Sequence, residues 1–192
     1  MNNTVNEYTN IITFIKELER LKDTIRTAWT SSGRRESTAE HSFRLSMFIF
    51  VLKDYFPEIN LTKALSMSLV HDLGEAYDGD ISAIVKIDPK TKIENEEKAL
   101  NRLLETLSEH TRSEIISLYK EYNGGLTLES KIVKALDKIE TIIQHNQGNN
   151  PEDFNYSFNL EYGKEYMSFS PIIEEIRTIV DKETMRHIQK NN

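Results

Sequence analysis

The sequence predicts an all-α protein, a compact multi-helix bundle, on three observations. Gly 7 and Pro 4 in 192 residues amount to roughly half the usual share, so turns are few and elements long. Apolar residues recur at spacings of three and four through most of the chain, the period of a helix. Neither an internal repeat nor a clear β-hairpin signal interrupts the pattern.

Each element follows from that period and from its end signals. Ile11, Phe14, Ile15, Leu18, Leu21, Ile25 and Trp29 mark a first helix, followed by a polar loop over Thr30 to Arg35. Ser37-Thr-Ala-Glu40 reads as a capping box opening a second helix, with His41 in its first turn. That helix holds the densest apolar run, Met47 to Leu52, reads as the central one, and ends before Pro57. Asn60 caps a third helix, LTKALSMSLVHDLGEAY, closed by Asp78-Gly79. An irregular stretch, Asp80 to Pro89, leads to helices around Ala99 to Leu107 and Ile115 to Tyr122, the second ending at Gly124-Gly125. Thr127 caps the next, whose stripe Ile132, Leu136, Ile139 and Ile143 is widened by its neighbours. Asn146 to Asn155 reads as a flexible polar loop, and Ser170-Pro171 opens a last helix.

Composition excludes several functions. With 38% hydrophobic and 29% charged residues, the chain suits one soluble domain over 1–192. Cys is absent, which removes disulfides, Fe–S clusters, thiolate nucleophiles and Cys-based zinc sites. The polar stretch Met1 to Asn10 is no secretory signal, and no apolar run is long enough to span a membrane, so a cytoplasmic protein is expected. A net charge of -7 offers no footprint for long nucleic acid. A small anionic substrate would need a local basic cluster.

One group of side chains does not fit a plain core. On a helix, Glu75 points about 40° from His71 and about 60° from Asp72, so three ionisable groups share one arc beside Ala64, Leu65 and Ser68. Desolvating a carboxylate there costs several kcal/mol unless it is paired or bound to a cation. Without Cys, a divalent metal would take imidazole and carboxylate ligands: His41, His71, Asp72 and one further carboxylate from another helix, for which Asp137 is best placed. Taken singly, each has a plainer reading: His41 as a cap, Asp137 as an ion-pair partner of Lys134 or Lys138, Asp80 as a turn residue, Trp29 as the end of a core stripe. His110, His145 and His187 read as surface residues. The aromatics Phe154, Tyr156, Phe158, Tyr162, Tyr166 and Phe169 read as a short amphipathic helix packed on the core.

STAEHSFRLS around His41, SLVHDLGEAYDGDI around His71 and KIVKALDKIET around Asp137 together resemble the HD-domain phosphohydrolase superfamily, in particular its bacterial 5'-deoxynucleotidases and their eukaryotic HD-domain relatives. The likeness covers about residues 18–146 and leaves 147–192 as a C-terminal helical extension. It implies an all-α HD-domain bundle, commonly a homodimer, with one divalent metal held by His41, His71, Asp72 and Asp137. It also implies proton transfer by Glu75, Asp80 set against a ribose 2'-hydroxyl, and Arg26 with Trp29 holding phosphate and nucleoside.

The metal could be Mn, Co, Fe, Mg or Zn, since nitrogen and oxygen ligands do not select among them. A dinuclear site would need more histidines between Asp72 and Asp137 than His110. The expected activity is hydrolysis of deoxyribonucleoside 5'-monophosphates to deoxynucleoside and phosphate, with Arg34 or Arg35 assisting Arg26 at the phosphate. Hydrolysis of an alarmone, a dNTP or another phosphomonoester, or a metal-stabilised regulatory module without turnover, are the alternatives.

Overall fold

The protein, seen here as a computed structural model, is described over residues 2–80 and 88–191. Its elements run α1 Asn2–Glu17, α2 Arg20–Asp23, β1 Ile25–Trp29, β2 Arg35–Ser37, α3 Thr38–Leu52, α4 Leu61–Val70, α5 Pro89–Leu103, α6 Glu109–Gly124, α7 Leu128–Gln147, α8 Ser157–Glu161 and α9 Pro171–Asn191. The all-α expectation holds apart from one two-stranded sheet.

That sheet corrects the first predicted helix. The chain leaves α2 at Thr24, whose φ of -72° and ψ of 108° are extended, and β1 pairs antiparallel with β2, Ile25 opposite Ser37 and Trp29 opposite Arg35. Ile25 and Trp29 are four residues apart, which keeps two side chains on one face of a strand as well as of a helix. Burial decides it: Arg26 and Ala28 are buried while Ile25 is exposed, a period of two. Gly33, at φ 85°, turns the hairpin. The charged Arg35-Glu36 strand carries no apolar alternation to announce itself.

Most predicted caps are present. Ser37 and Glu40 form the capping box of α3, and the side chains of Asn60 and Thr127 accept from the backbone N–H groups of Lys63 and Ser130. The third helix is shorter than expected. It stops at Val70, and after Asp72 (φ -105°, ψ 10°) the chain makes a 3-10 turn over Leu73–Glu75. Gly74 lets this turn pack closely on α5, where a Cβ would stand 2.8 Å from Cβ of Glu96. Of the irregular stretch expected from Asp80 to Pro89, residues 81–87 lie outside the described residues.

The central helix is α7, not α3. Ile132, Val133, Ala135, Leu136, Ile139 and Ile142 are all at most 1% exposed, whereas α3 leaves Phe43, Met47, Phe50 and Val51 exposed. Around α7, Leu45 and Ile49 of α3, Ala64 and Met67 of α4, Tyr122 of α6, and Met167, Ile173 and Val180 beyond residue 147 form one cluster. Each large aliphatic buried this way contributes about 1.5–3 kcal/mol. A second cluster joins Leu21, Val70, Leu73, Leu100, Leu103, Leu104 and Tyr119. The chain passes from the first cluster at Met67 to the second at Val70, and His71 and Asp72 follow directly.

Candidate functional site

Three helices bring the predicted polar residues together. His41 leaves α3 in its first turn, His71 follows the end of α4, and Asp137 leaves the middle of α7. One ring nitrogen each of His41 and His71 and an Asp137 oxygen lie within 4.8 Å of one another, all on buried residues. Asp72 Oδ2 is 3.1 Å from His71 Nε2 and 3.8 Å from His41 Nε2. Asp137 Oδ1 is 3.1 Å from His41 Nε2, and its Oδ2 accepts from Tyr122 (2.6 Å) and Lys138 (2.9 Å).

The far nitrogen of each imidazole is anchored. His41 Nδ1 meets Glu140 Oε2 at 2.5 Å, and His71 Nδ1 meets the carbonyl of Ser68 at 2.9 Å. Each therefore carries a proton on Nδ1 and turns Nε2 inward, the atom that a metal-ligating histidine offers. Glu140, one helical turn beyond Asp137, was not picked out in the sequence, although its spacing from Asp137 could have drawn attention to it.

The residues fit a divalent cation. His71 Nε2 and Asp72 Oδ2 are buried without a hydrogen-bond partner, a costly state that a cation between them removes. Burial and Arg26 push the His41 pKa down, yet Glu140 and Asp137 outweigh them and raise it to about 10. The pocket is negative enough to draw in a positive charge. Two imidazoles and two carboxylates are a donor set for a transition metal or Mg²⁺, without selecting among them.

A second buried group, Glu36, His41 and Glu140, is already neutralised by arginines. Arg26 Nε is 3.4 Å from Glu36, and Arg44 Nε is 3.1 Å from Glu140. Burial and Glu140 push the remaining Glu36 carboxyl up to about 7.

The cluster opens into a cavity of about 690 Å³, also lined by Arg26, Trp29, Glu75 and Asp80, within the usual size for a small-molecule site. Glu75 is buried, accepts from the Thr38 hydroxyl at 3.1 Å, and is pushed well above its ordinary pKa by burial and by the charges of Asp72 and Asp80. Arg26, buried by the strand period, donates to the Thr141 hydroxyl at 3.0 Å and lies 3.6 Å from Asp72. Half-buried Trp29 meets Phe154 edge to face, with ring centroids 6.0 Å apart.

Several expectations are corrected here. Arg34 and Arg35 do not line the cavity: Arg34 clasps Glu40 at 2.5 and 2.9 Å, and Arg35 donates to the Arg26 carbonyl. His145 is buried, bonded to Asn159 at 2.8 Å, and lines the cavity. Phe154, Phe158, Tyr162 and Tyr166 also line it, which makes the C-terminal segment part of the site wall. The polar loop after Asn146 is docked: Asn149 N–H donates to the Thr30 carbonyl and Gln144 donates to that of Trp29. Buried Arg177 of α9 donates to the carbonyls of Asn159, Leu160 and Tyr162, which holds α8 in place. His187, half-exposed, stacks on Tyr156, and His110 is exposed as expected.

The HD domain family model matches residues 18–177. The human 5'-deoxynucleotidase HDDC2 is 32% identical over 137 residues, 70% of this chain and 66% of the relative, so the match spans just under two thirds of that relative's length. The Dictyostelium discoideum 5'-deoxynucleotidase HDDC2 is 36% identical over 143 residues, 70% and 75% of the two chains. Among solved structures, a predicted metal-dependent phosphohydrolase from Magnetospirillum magnetotacticum MS-1 superposes with a TM-score of 0.78 at 25% identity, covering 94% of both chains.

Proposed function

The chain belongs to the HD-domain family, and from that premise we propose that it is a metal-dependent phosphohydrolase of the 5'-deoxynucleotidase type, releasing phosphate from deoxyribonucleoside 5'-monophosphates. The observation that carries this reading is the convergence of His41, His71 and Asp137 behind a cavity that His71, Asp72 and Asp137 line together with a carboxyl of raised pKa, Glu75. The HD domain model spans all of those residues, and relatives named as 5'-deoxynucleotidases match 70% of the chain.

His41, His71, Asp72 and Asp137 would hold one divalent ion. Such an ion lowers the pKa of a bound water and polarises a phosphoryl oxygen. Glu75, whose carboxyl burial and the charges of Asp72 and Asp80 push well above its ordinary pKa, would pass a proton to the leaving 5'-oxygen and regain one from water, and Thr38 holds it in place. Arg26 faces the phosphate and at the same time neutralises Asp72 and Glu36. The deoxynucleoside would lie against Trp29 and Phe154, with Asp80 beside the sugar, where a carboxylate next to carbon 2' disfavours a hydroxyl.

The chain is further proposed to act as a homodimer. The exposed apolar side chains of α3, Phe43, Met47 and Phe50 at spacings of four and three, support this. A one-chain mass by light scattering would contradict it.

Phosphate release from matched 5'-dNMPs and 5'-NMPs tests the activity, with 3'-dNMPs and a guanosine polyphosphate as controls and Mn, Co, Mg or Zn restored to metal-stripped protein. The expected result is metal-dependent release from 5'-dNMPs with ribonucleotides poor. Release of pyrophosphate or triphosphate, or none from any substrate, would overturn the assignment.

A further inference from the structure

Four basic side chains line the cavity: Arg26, Lys92, Lys134 and Lys138. Three already have a carboxylate. Arg26 lies 3.4 Å from Glu36 and 3.6 Å from Asp72, Lys92 is 3.5 Å from Glu96, and Lys138 is 2.9 Å from Asp137. Lys134 is different. Among the described residues no carboxylate lies within ion-pair distance of it and it donates no hydrogen bond. Its half-buried ammonium rests 4.2 Å from the centre of the Tyr122 ring and 5.5 Å from that of Tyr166.

Charge balance shows what is missing. A divalent ion would match Asp72 and Asp137, Arg26 is offset by Glu36, and Lys138, whose pairing with Asp137 the ion would share, contributes at most one positive charge. A phosphate monoester is close to a dianion at neutral pH, so it needs one further cation. Lys134 stands one helical turn before Asp137 and Lys138 on α7. Its platform, Tyr122, donates to Asp137 at 2.6 Å, which ties it to the same wall of the cavity.

We propose that Lys134, with Lys138 beside it, is the anion subsite of this cavity and binds the non-bridging oxygens of the substrate phosphate and of the inorganic phosphate released. The proposal rests on the phosphohydrolase reading above. Burial and the neighbouring Lys138 charge push the Lys134 pKa down to about 8, as expected of a cation lacking its counter-charge, and a bound anion relieves both effects. The tyrosine rings hold the ammonium without neutralising it.

The test titrates inorganic phosphate into metal-loaded full-length protein by calorimetry, alongside KM for dAMP and metal affinity by equilibrium dialysis. Lys134→Met keeps the apolar stem on the tyrosines, and Lys134→Arg keeps the charge. The expected result is about tenfold weaker phosphate binding and a similar rise in KM for Lys134→Met, unchanged metal affinity, and recovery to within about threefold for Lys134→Arg. Phosphate affinity of Lys134→Met within twofold of wild type would overturn the proposal. So would equal losses in both variants, which mark a packing role, or no phosphate binding by the wild type. The titration needs no turnover, so it reads the lysine even if no deoxynucleotide is hydrolysed, which separates failure here from failure of the assigned activity.

Discussion

The two ends of the cavity are built in opposite ways. At the metal-cluster end, His41 and Asp137 leave long helices packed on the main core and His71 caps a third. Each imidazole is fixed through its second nitrogen. At the aromatic end, Trp29 comes from a five-residue strand, Phe154 from an irregular segment and Phe158 from a five-residue helix. Their positions depend on a few backbone contacts across the chain, such as those from Gln144 to Trp29 and from Arg177 to α8. Chemistry that tolerates little displacement stands on the rigid scaffold, while the surface proposed to meet the base stands on connections that can be rebuilt without disturbing it.

Substitutions at the two ends should therefore fail differently, and the largest effect belongs to the cluster. His71→Ala or Asp137→Ala is expected to lose the bound metal, measured by elemental analysis, and to cut turnover by about a thousandfold or more. Retention of turnover in either variant would break the comparison at its strongest point. Glu75→Gln is next: kcat should fall by about 10²–10⁴ with metal content unchanged, and joint loss of both would make Glu75 a structural member of the cluster. Glu140→Gln should weaken metal affinity or activity by about 10–100-fold, read by dialysis, because His41 loses the carboxylate that fixes its tautomer.

The aromatic end should give smaller and more selective effects. Phe154→Ala is expected to raise KM for a deoxynucleotide by about tenfold, the scale of one lost base-stacking contact, with kcat and metal content little changed. Gly148→Ala should act in the same direction without touching the substrate. A Cβ there would stand 2.3 Å from the Trp29 carbonyl oxygen, so the strand must shift, and a near-ultraviolet circular dichroism change at Trp29 would report it. A collapse of metal binding in either variant would mean that the two ends are not separable.

The same contrast governs what the sequence reveals. The ligands stand in segments that resemble the HD-domain motifs, and the helices around them show their period, so the cluster and the caps at Ser37, Asn60 and Thr127 are readable from the residues. The HDxGE segment is the exception in detail. Its residues read as one helical arc, but the chain leaves the helix at Val70 and a 3-10 turn delivers Glu75, with Gly74 allowing that turn to pack closely on α5. Arg26 reads as helical because the four-residue step from Ile25 to Trp29 also suits a strand.

His145 and the aromatic wall stay hidden for another reason. Aromatics at irregular spacing look alike whether they fill a core or line a cavity, and only the docking of residues 148–163 distinguishes the two. Glu140 and Lys134 read as the charged neighbours of a helix, since the carboxylate-to-imidazole contact and the missing counter-charge exist only once α3, α6 and α7 are packed.

The most direct test of the central claim is a titration of metal-stripped protein with Co(II), with bound metal and phosphate release from dAMP followed together. The account predicts that both rise in parallel and level off at one equivalent per chain, and that His71→Ala abolishes both. Turnover before any metal is added, or a rise that continues to two equivalents, would contradict a single metal centre built from His41, His71, Asp72 and Asp137.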